Sequence, residues 1–382
     1  MEQRASQVQS SIARGGVVSL PVSVDVESIV NILAVQAAGG VPHPYTGQVP
    51  APSAVNFPDG ALCVSTSGSD GLAKVVPFTH ANIAAGVRAS RSRLLTTATD
   101  RWLLCLPLDH VGGLSIIWRM LEAGGTMIVV PYADAAAALE LLEPTVASLV
   151  PTMVRRLVES HSAELALLRF VLVGGAGLRK SLAETAAILD INLVPTYGMT
   201  ETGSQVTTAS VDPSKRVAGS SGTPLDGMTI EILESGAITV AGPAVFSGYL
   251  GEQLREGMFV TGDYGHLDPS GRLFISGRAD DVIVSGGENV SLVRVAELIS
   301  SIEGVDDVCV VGLHDDEWGM IPGAMVISTC EHSTVAEMIR GVTSNSQRPR
   351  NLVVRTDIPM LPNGKHDRAA VRSALVAGQS TV

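Results

Sequence analysis

The stretch VSTSGSDGLAK, Val64 to Lys74, sets hydroxyls and glycines in front of a lysine. Such a segment offers backbone N–H groups, side-chain hydroxyls and one point charge, which together suit a polyphosphate. The same composition also makes plain turns, because Gly supplies unusual φ and Ser bonds its own backbone. The nucleotide loop G-x-x-x-x-G-K-[ST] is not met. Counting from Gly68, Ala73 stands at the second glycine and Val75 at the magnesium hydroxyl. The company these residues keep elsewhere in the chain decides between the two readings.

That company is a set of short segments, each expected on a loop. They are PLDHVGGL (Pro107 to Leu114), VGGAG (Val173 to Gly177), PTYGMTET (Pro195 to Thr202), TGD (Thr261 to Asp263), Gly277-Arg278 with SGGEN (Ser285 to Asn289), and LPNGK (Leu361 to Lys365). Singly, TGD is a turn, PNGK a type I′ or II turn and YGMTE a helix start. Together they supply an aromatic face, an acid suited to a hard cation, an acid suited to vicinal hydroxyls, and a lysine on a glycine-preceded turn. The histidines His43, His80, His161, His266, His314, His332 and His366 show no metal-ligand spacing.

The elements that must position these segments follow from pattern. Short β-rich runs over 61–64, 102–106, 126–130, 148–150, 170–173 and 192–194 alternate with helical patterns over 79–95, 135–142, 152–160 and 178–189. Several of the strands are apolar throughout, which predicts a mostly parallel sheet covered on both faces. Ligands of such sheets bind where loops leave the carboxyl ends of strands, and Val64 to Lys74 directly follows the run over 61–64. The expected fold is α/β: a large N-terminal domain, 1–279, of mostly parallel β-sheets covered by helices, with a β-rich subdomain over about 219–278. A small α+β domain over 280–382 completes it.

Bulk composition narrows the classes. The chain has 382 residues, 46% hydrophobic and 17% charged, enough to bury a sizeable core in two or three domains. A formal charge of −12 argues against a nucleic-acid or anionic-membrane binder, so any phosphate site needs local donors. The four cysteines (Cys63, Cys105, Cys309 and Cys330) are far apart with no C-x-x-C, which suits buried thiols in a reducing cytoplasm. No secretory signal is expected at the N-terminus, and the apolar run over 28–39 is too short to span a bilayer.

In this order, the segments resemble those of the acyl-adenylate-forming superfamily, which includes acyl-CoA synthetases, luciferases and nonribosomal peptide adenylation domains. The resemblance runs from about residue 25 to about residue 368. The run HVGGLSIIWRMLEAGG, from His110 to Gly125, is most similar to the branch that ligates o-succinylbenzoate to CoA. The chain departs from the family pattern in three ways. Its leading subdomain looks trimmed, Asp70 and Ala73 replace the commoner Thr and Pro, and Val290 to Arg294 lacks the usual Tyr-Pro-Ala-Glu.

The resemblance implies ATP- and Mg²⁺-dependent activation of a carboxylic acid as an acyl-adenylate, then transfer to CoA, with the C-terminal domain as a mobile lid. Thr66, Ser67, Gly68, Ser69, Gly71 and Lys74 would surround the β- and γ-phosphates, with Asp70 turned outward or capping the next turn. Thr200 would meet the α-phosphate and Glu201 the metal. Tyr197 would lie beside adenine, with Gly174, Gly175 and Ala176 making room for the base. Asp263 and Arg278 would clamp ribose, Lys365 would bridge the two reacting anions, and Ser285, Gly286 and Gly287 would face CoA. His110, Gly112, Gly113 and Ser204 would line the acid pocket, with His110 at its ring or keto group, while Trp118 sits in the core and Arg119 faces away. Expected partners are the small acid, ATP and CoA, without nucleic acid or membrane insertion, and a homodimer stays open. Other aryl or acyl acids, a stand-alone enzyme loading a carrier protein, and a catalytically silent nucleotide-binding homologue remain as alternatives.

Overall fold

Strands that are apolar on both faces can only be satisfied inside a sheet covered twice, and they build the centre of the larger of two compact units. The computed structural model describes residues 13–47, 57–66, 74–255, 257–361 and 364–379. One unit comprises Met1–Leu233, Thr239–Thr261 and Leu267–Phe274, the other Glu234–Ile238, Gly262–His266 and Ile275–Val382.

The first unit opens with β1 (Val17–Pro21), α1 (Val26–Ala37) and β2 (Val41–Tyr45), a parallel pair joined through the helix. A hairpin of β3 (Gly60–Ser65) and β4 (Val75–Thr79) follows, then α2 (His80–Leu94), β5 (Arg101–Leu104), α3 (Val111–Ala123), β6 (Thr126–Val129) and α4 (Ala135–Leu142). Next come β7 (Val146–Leu149), α5 (Pro151–Ala166), β8 (Phe170–Val173), α6 (Lys180–Ile188), β9 (Leu193–Tyr197), β10 (Thr207–Thr208) and β11 (Thr223–Pro224). The main sheet runs β11-β10-β9-β8-β7-β5-β6, parallel from β6 to β9 and antiparallel at β10 and β11. Leu103, Leu149, Val171 and Val173 face α4, α5 and α6 through Leu139, Met153, Val154, Leu157 and Ala186 in one buried cluster.

The run over 61–64 does form a strand, β3, but it pairs only with β4, antiparallel, in its own two-stranded sheet. Val75 to Phe78 supplies an equally β-prone partner two sides of a short loop away, so local pairing wins over joining the parallel sheet.

Strands β12 (Thr229–Ile232), β13 (Ala237–Ala241), β14 (Phe259–Leu267) and β15 (Leu273–Arg278) form a four-stranded sheet in that order. In the second unit, β16 (Val282–Ser285), β17 (Glu288–Ser291), α7 (Leu292–Ser300), β18 (Val305–Asp315), β19 (Gly319–Ser328), α8 (His332–Val342), β20 (Asn351–Arg355) and α9 (Arg368–Gln379) follow. Their sheet runs β17-β16-β19-β18, with β20 parallel to β19. Alternation along β18 sends Val308 and Val310 to one face, under α7 and α8, and Cys309, Val311 and Leu313 to the other, under Val371 and Leu375 of α9. No helix among the described residues is long and apolar enough to cross a membrane.

One buried acid ties together the starts of three parallel strands. Asp100 is 3% exposed and accepts from Thr97 N–H (2.9 Å), Thr145 Oγ1 (3.2 Å), and Arg169 Nε (3.2 Å) and Nη2 (2.7 Å). These residues stand just ahead of β5, β7 and β8, so the opposite, carboxyl ends are left to carry loops. Asp100→Ala removes all four contacts. Because Arg169 is itself 36% exposed, the loss should fall below that of a fully buried pair, about 2–3 kcal/mol in urea unfolding. A loss under about 1 kcal/mol would show that this acid does not organise the sheet.

Candidate active site

The stretch Val64 to Lys74 runs from the end of β3 to the residue before β4, its antiparallel partner. Its stem closes where Thr66 N–H donates to the Lys74 carbonyl at 2.8 Å, and the Thr66 hydroxyl reaches the same oxygen at 3.3 Å. Ser67, Gly68, Ser69, Asp70 and Gly71 lie outside the described residues. Below the stem, buried His43 on β2 sits 2.9 Å from Ser65 Oγ. Burial pushes the His43 pKa down, which favours the neutral ring.

The segment PTYGMTET closes a tight turn between β9 and β10. Gly198 is obligatory there, because a Cβ on it would stand 1.5 Å from the Ser204 carbonyl oxygen. Thr200 to Thr202 form a 3₁₀ turn, held where Met199 N–H donates to Thr202 Oγ1 at 3.1 Å. The turn leaves Ser204 at φ +118°, a conformation that costs a non-glycine residue about 1–3 kcal/mol. Buried Gln205 anchors its far side, accepting from Ser90 Oγ (2.6 Å) and donating to Thr208 Oγ1 (2.7 Å) and Thr196 Oγ1 (3.2 Å). Tyr197 ends β9, while Gly174, Gly175 and Ala176 form the turn leaving β8.

Glu201 is held from two sides. Its carbonyl accepts from Phe246 N–H at 2.8 Å, and its Oε1 accepts from the Tyr249 hydroxyl at 2.9 Å. Among the described residues no protein donor takes Oε2. One aimed carboxylate with a spare oxygen fits Mg²⁺, which is commonly held by one or two carboxylates plus substrate phosphates. A cage of protein ligands is not needed for that, and no cluster of three acids, histidines or cysteines occurs among the described residues.

The segment from His110 to Arg119 departs from expectation at three points. Gly112 and Gly113 lie in the first turn of α3 rather than on a loop, and His110 is the residue preceding that helix. A Cβ on Gly113 would come within 2.3 Å of the Pro107 carbonyl, so the helix start packs directly on the backbone of the segment that follows β5. Trp118 is only half-buried, whereas Trp102 is fully buried. Arg119, expected to face away, is 4% exposed and donates from Nη2 to Ser204 Oγ at 3.1 Å. Ser115 Oγ lies 3.4 Å from the same hydroxyl. The guanidinium also sits over the Trp102 ring at 5.7 Å, and no carboxylate lies within ion-pair distance among the described residues. Burial pulls its pKa down to about 9, which leaves it charged at neutral pH. A helical i, i+4 relation between Ser115 and Arg119 is the signal that could have found it.

TGD and Gly277-Arg278 lie inside strands β14 and β15 rather than on loops. Pairing brings them together: Arg278 Nη1 is 3.6 Å from Asp263 Oδ1, and Asp263 is 6% exposed. Lys365 follows a turn closed by Gly364 N–H to the Leu361 carbonyl (2.9 Å) and Leu361 N–H to the Lys365 carbonyl (2.8 Å). The next residue, His366, is fixed 3.1 Å from Asp307 Oδ2. Surrounding protein, then Arg278, lower the Lys365 pKa, with Asp263 opposing them. Ser285, Gly286 and Gly287 form the β16–β17 hairpin, where a Cβ on Gly286 would strike the Trp318 ring at 2.6 Å.

A mostly parallel sheet with the Thr200–Thr202 turn between β9 and β10, and the separate β3–β4 pair, frames these segments. The family model described as AMP-binding enzyme matches residues 2–250, and that for the AMP-binding enzyme C-terminal domain matches residues 294–365. The chain belongs to the AMP-binding enzyme family. It is 37% identical over 288 residues to a 2-succinylbenzoate–CoA ligase of Bacillus cereus, covering 70% of this chain and 60% of that relative. Among solved structures, ATP-bound MatB from Rhodopseudomonas palustris superposes with a TM-score of 0.85 at 23% identity, covering 97% of this chain and 92% of that one. The o-succinylbenzoate CoA synthetase from Bacillus subtilis, in complex with its acyl-adenylate intermediate, gives 0.82 at 24% identity, covering 97% and 91%. Both likenesses are of fold.

The lowered Lys365 pKa has a direct consequence for rate. If Lys365 is the cation of an adenylation step, that step weakens as pH rises through the lysine pKa, so ATP–pyrophosphate exchange should fall off at a lower pH than for an ordinary lysine. Lys365→Arg should move that alkaline limb upward by about one pH unit or more, since arginine stays charged. An unmoved limb removes Lys365 from the step.

Proposed function

We propose that the protein is an AMP-forming acid–CoA ligase that converts o-succinylbenzoate to o-succinylbenzoyl-CoA, a step of menaquinone biosynthesis. A carboxylate is a poor electrophile because it would have to expel oxide. In the first half-reaction the succinyl carboxylate oxygen attacks the α-phosphorus of ATP and pyrophosphate leaves. In the second, the CoA sulfur attacks the acyl carbon and AMP leaves. Catalysis is then largely the positioning and neutralising of converging anions.

Each placed residue has a role in this reading. Thr66, Lys74 and the loop between them take the β- and γ-phosphates, Thr200 the α-phosphate, and Tyr197 with the Gly174–Ala176 turn the base. Glu201 holds Mg²⁺, which neutralises phosphate charge when bound. Asp263 accepts the ribose hydroxyls beside Arg278, Lys365 supplies a cation to the reacting carboxylate and α-phosphate, and Ser285 to Gly287 face CoA. Four free cysteines suit a reducing compartment, the cytoplasm.

The observation that carries the choice of acid is Arg119. o-Succinylbenzoate has a second, aromatic carboxylate that must be bound without reacting, and a pocket that takes it from water must supply a cation or donors. Arg119 is a buried cation that donates to Ser204 Oγ, which Ser115 Oγ also reaches, and among the described residues no acid lies at ion-pair distance from it. A pocket for fatty acids has no use for such a charge. The relatives named 2-succinylbenzoate–CoA ligase support the same acid.

The test compares o-succinylbenzoate with 4-phenylbutanoate, which keeps the aryl-butanoate shape but lacks the aromatic carboxylate and ketone. The wild type should prefer the former by about 10²-fold or more in kcat/KM, because the analogue leaves the site's polar groups unpaired. Arg119→Met should reduce that preference to less than about tenfold. It should also raise Tm of the unliganded protein by about 1–3 °C, because an uncompensated buried charge is removed. Equal use of both acids by the wild type would overturn the proposed substrate.

A further inference from the structure

A segment outside every sequence motif joins the phosphate hairpin to the Thr-Glu turn. Phe246 N–H donates to the Glu201 carbonyl at 2.8 Å, and Leu250 N–H donates to the Val75 carbonyl at 2.8 Å. Between these two ties stands Tyr249. Its hydroxyl donates to Glu201 Oε1 at 2.9 Å, and Lys74 Nζ lies 4.5 Å from its ring centroid. Phe246 packs edge-on against the ring at 4.9 Å, with Phe259 in turn against Phe246 at 5.1 Å. Lys74 Nζ is also 3.5 Å from Glu252 Oε1. One side chain therefore touches both the hairpin lysine and the turn acid.

We propose that Tyr249 is a positioning residue for the nucleotide site, with its hydroxyl aiming the Glu201 carboxylate and its ring, together with Glu252, holding Lys74 beside the hairpin until a phosphate takes it. The inference rests on the reading of Glu201 as the Mg²⁺ ligand and of Lys74 as a phosphate ligand. A carboxylate on a turn has rotamer freedom, and a charge-assisted hydrogen bond to one oxygen removes much of it while leaving the other oxygen for a hard cation. The arrangement at Lys74 is weak by construction. Its side chain is 49% exposed and that of Glu252 is 53% exposed, so their ion pair adds little and a polyphosphate can displace it. The cation–π contact then sets where the lysine waits rather than how tightly it is held.

The test uses the full chain with Mn²⁺ as the metal probe and α,β-methylene-ATP as a nucleotide that is not turned over. Mn²⁺ affinity for the protein–nucleotide complex is read by electron paramagnetic resonance, and metal-free nucleotide affinity by calorimetry. Tyr249→Phe keeps the ring and removes the hydroxyl. It should weaken Mn²⁺ binding about tenfold while leaving metal-free nucleotide binding within about twofold. Glu201→Gln should weaken Mn²⁺ at least as much, and the two changes combined should do no more than Glu201→Gln alone, because both act through one carboxylate. If Glu201→Gln leaves Mn²⁺ binding intact, the metal-ligand reading itself is wrong. If it weakens binding but Tyr249→Phe does not, or if the two effects add in full, the positioning role falls and the metal reading stands. Glu252→Gln probes the other arm without touching the aromatic packing. Freeing Lys74 should tighten metal-free nucleotide binding by about two- to threefold, and weakened binding would overturn the holding role of Glu252.

Discussion

The close approach of Gly198 to the Ser204 carbonyl is the constraint on which the placing of Glu201 and Ser204 depends. With no room for a Cβ at Gly198, the segment between β9 and β10 folds back so that the Ser204 carbonyl lies against it. That reversal throws Glu201 toward Tyr249 and leaves Ser204 at a positive φ, within reach of Arg119. A looser turn would relieve Ser204 but would move Glu201 away from the hydroxyl that accepts from the buried Arg119 guanidinium. Strain of this kind persists only where surrounding contacts over-determine it. Here the hydrogen bonds of Thr202 to Met199, and of Gln205 to Ser90, Thr196 and Thr208, serve that purpose.

In a chain with a formal charge of −12, the proposed anionic ligands would have to be held by local placement of cations rather than by the overall field. Among the described residues Arg119 is buried with no acid at ion-pair distance, and burial pushes its pKa down, whereas Lys365 has an exposed side chain whose pKa is lowered by nearby protein and then by Arg278. The Arg119 cation is thus less stable than it would be in water, and an arriving carboxylate would offset that cost. Lys74 follows the other strategy, resting half-exposed against Tyr249 and Glu252 where it is easily moved. Arg119 is held in place and Lys74 is kept adjustable. In the proposed reaction a fixed carboxylate would meet the fixed cation and a flexible triphosphate the adjustable one.

By itself, the sequence determined the alternation of buried strands and amphipathic helices, because side-chain period and apolar runs are local properties. It also determined which residue types stand at each chemical segment, and the family those segments mark. Tertiary structure alone decided the rest. The hairpin partner of β3, the placing of TGD and Gly277-Arg278 inside paired strands, and the helical setting of Gly112 and Gly113 depend on pairing and packing between segments distant in the chain. Arg119 shows the reason most directly. A charged residue on a helix reads as solvent-facing, since burying an unpaired charge is costly, and only the fold, by setting Ser204, Ser115 and the Trp102 ring around one guanidinium, makes an inward arginine tenable. Tyr249 was equally illegible, because the two groups it joins belong to segments far from it and from each other in the chain, and contact across such separations is not a property of any one stretch of sequence.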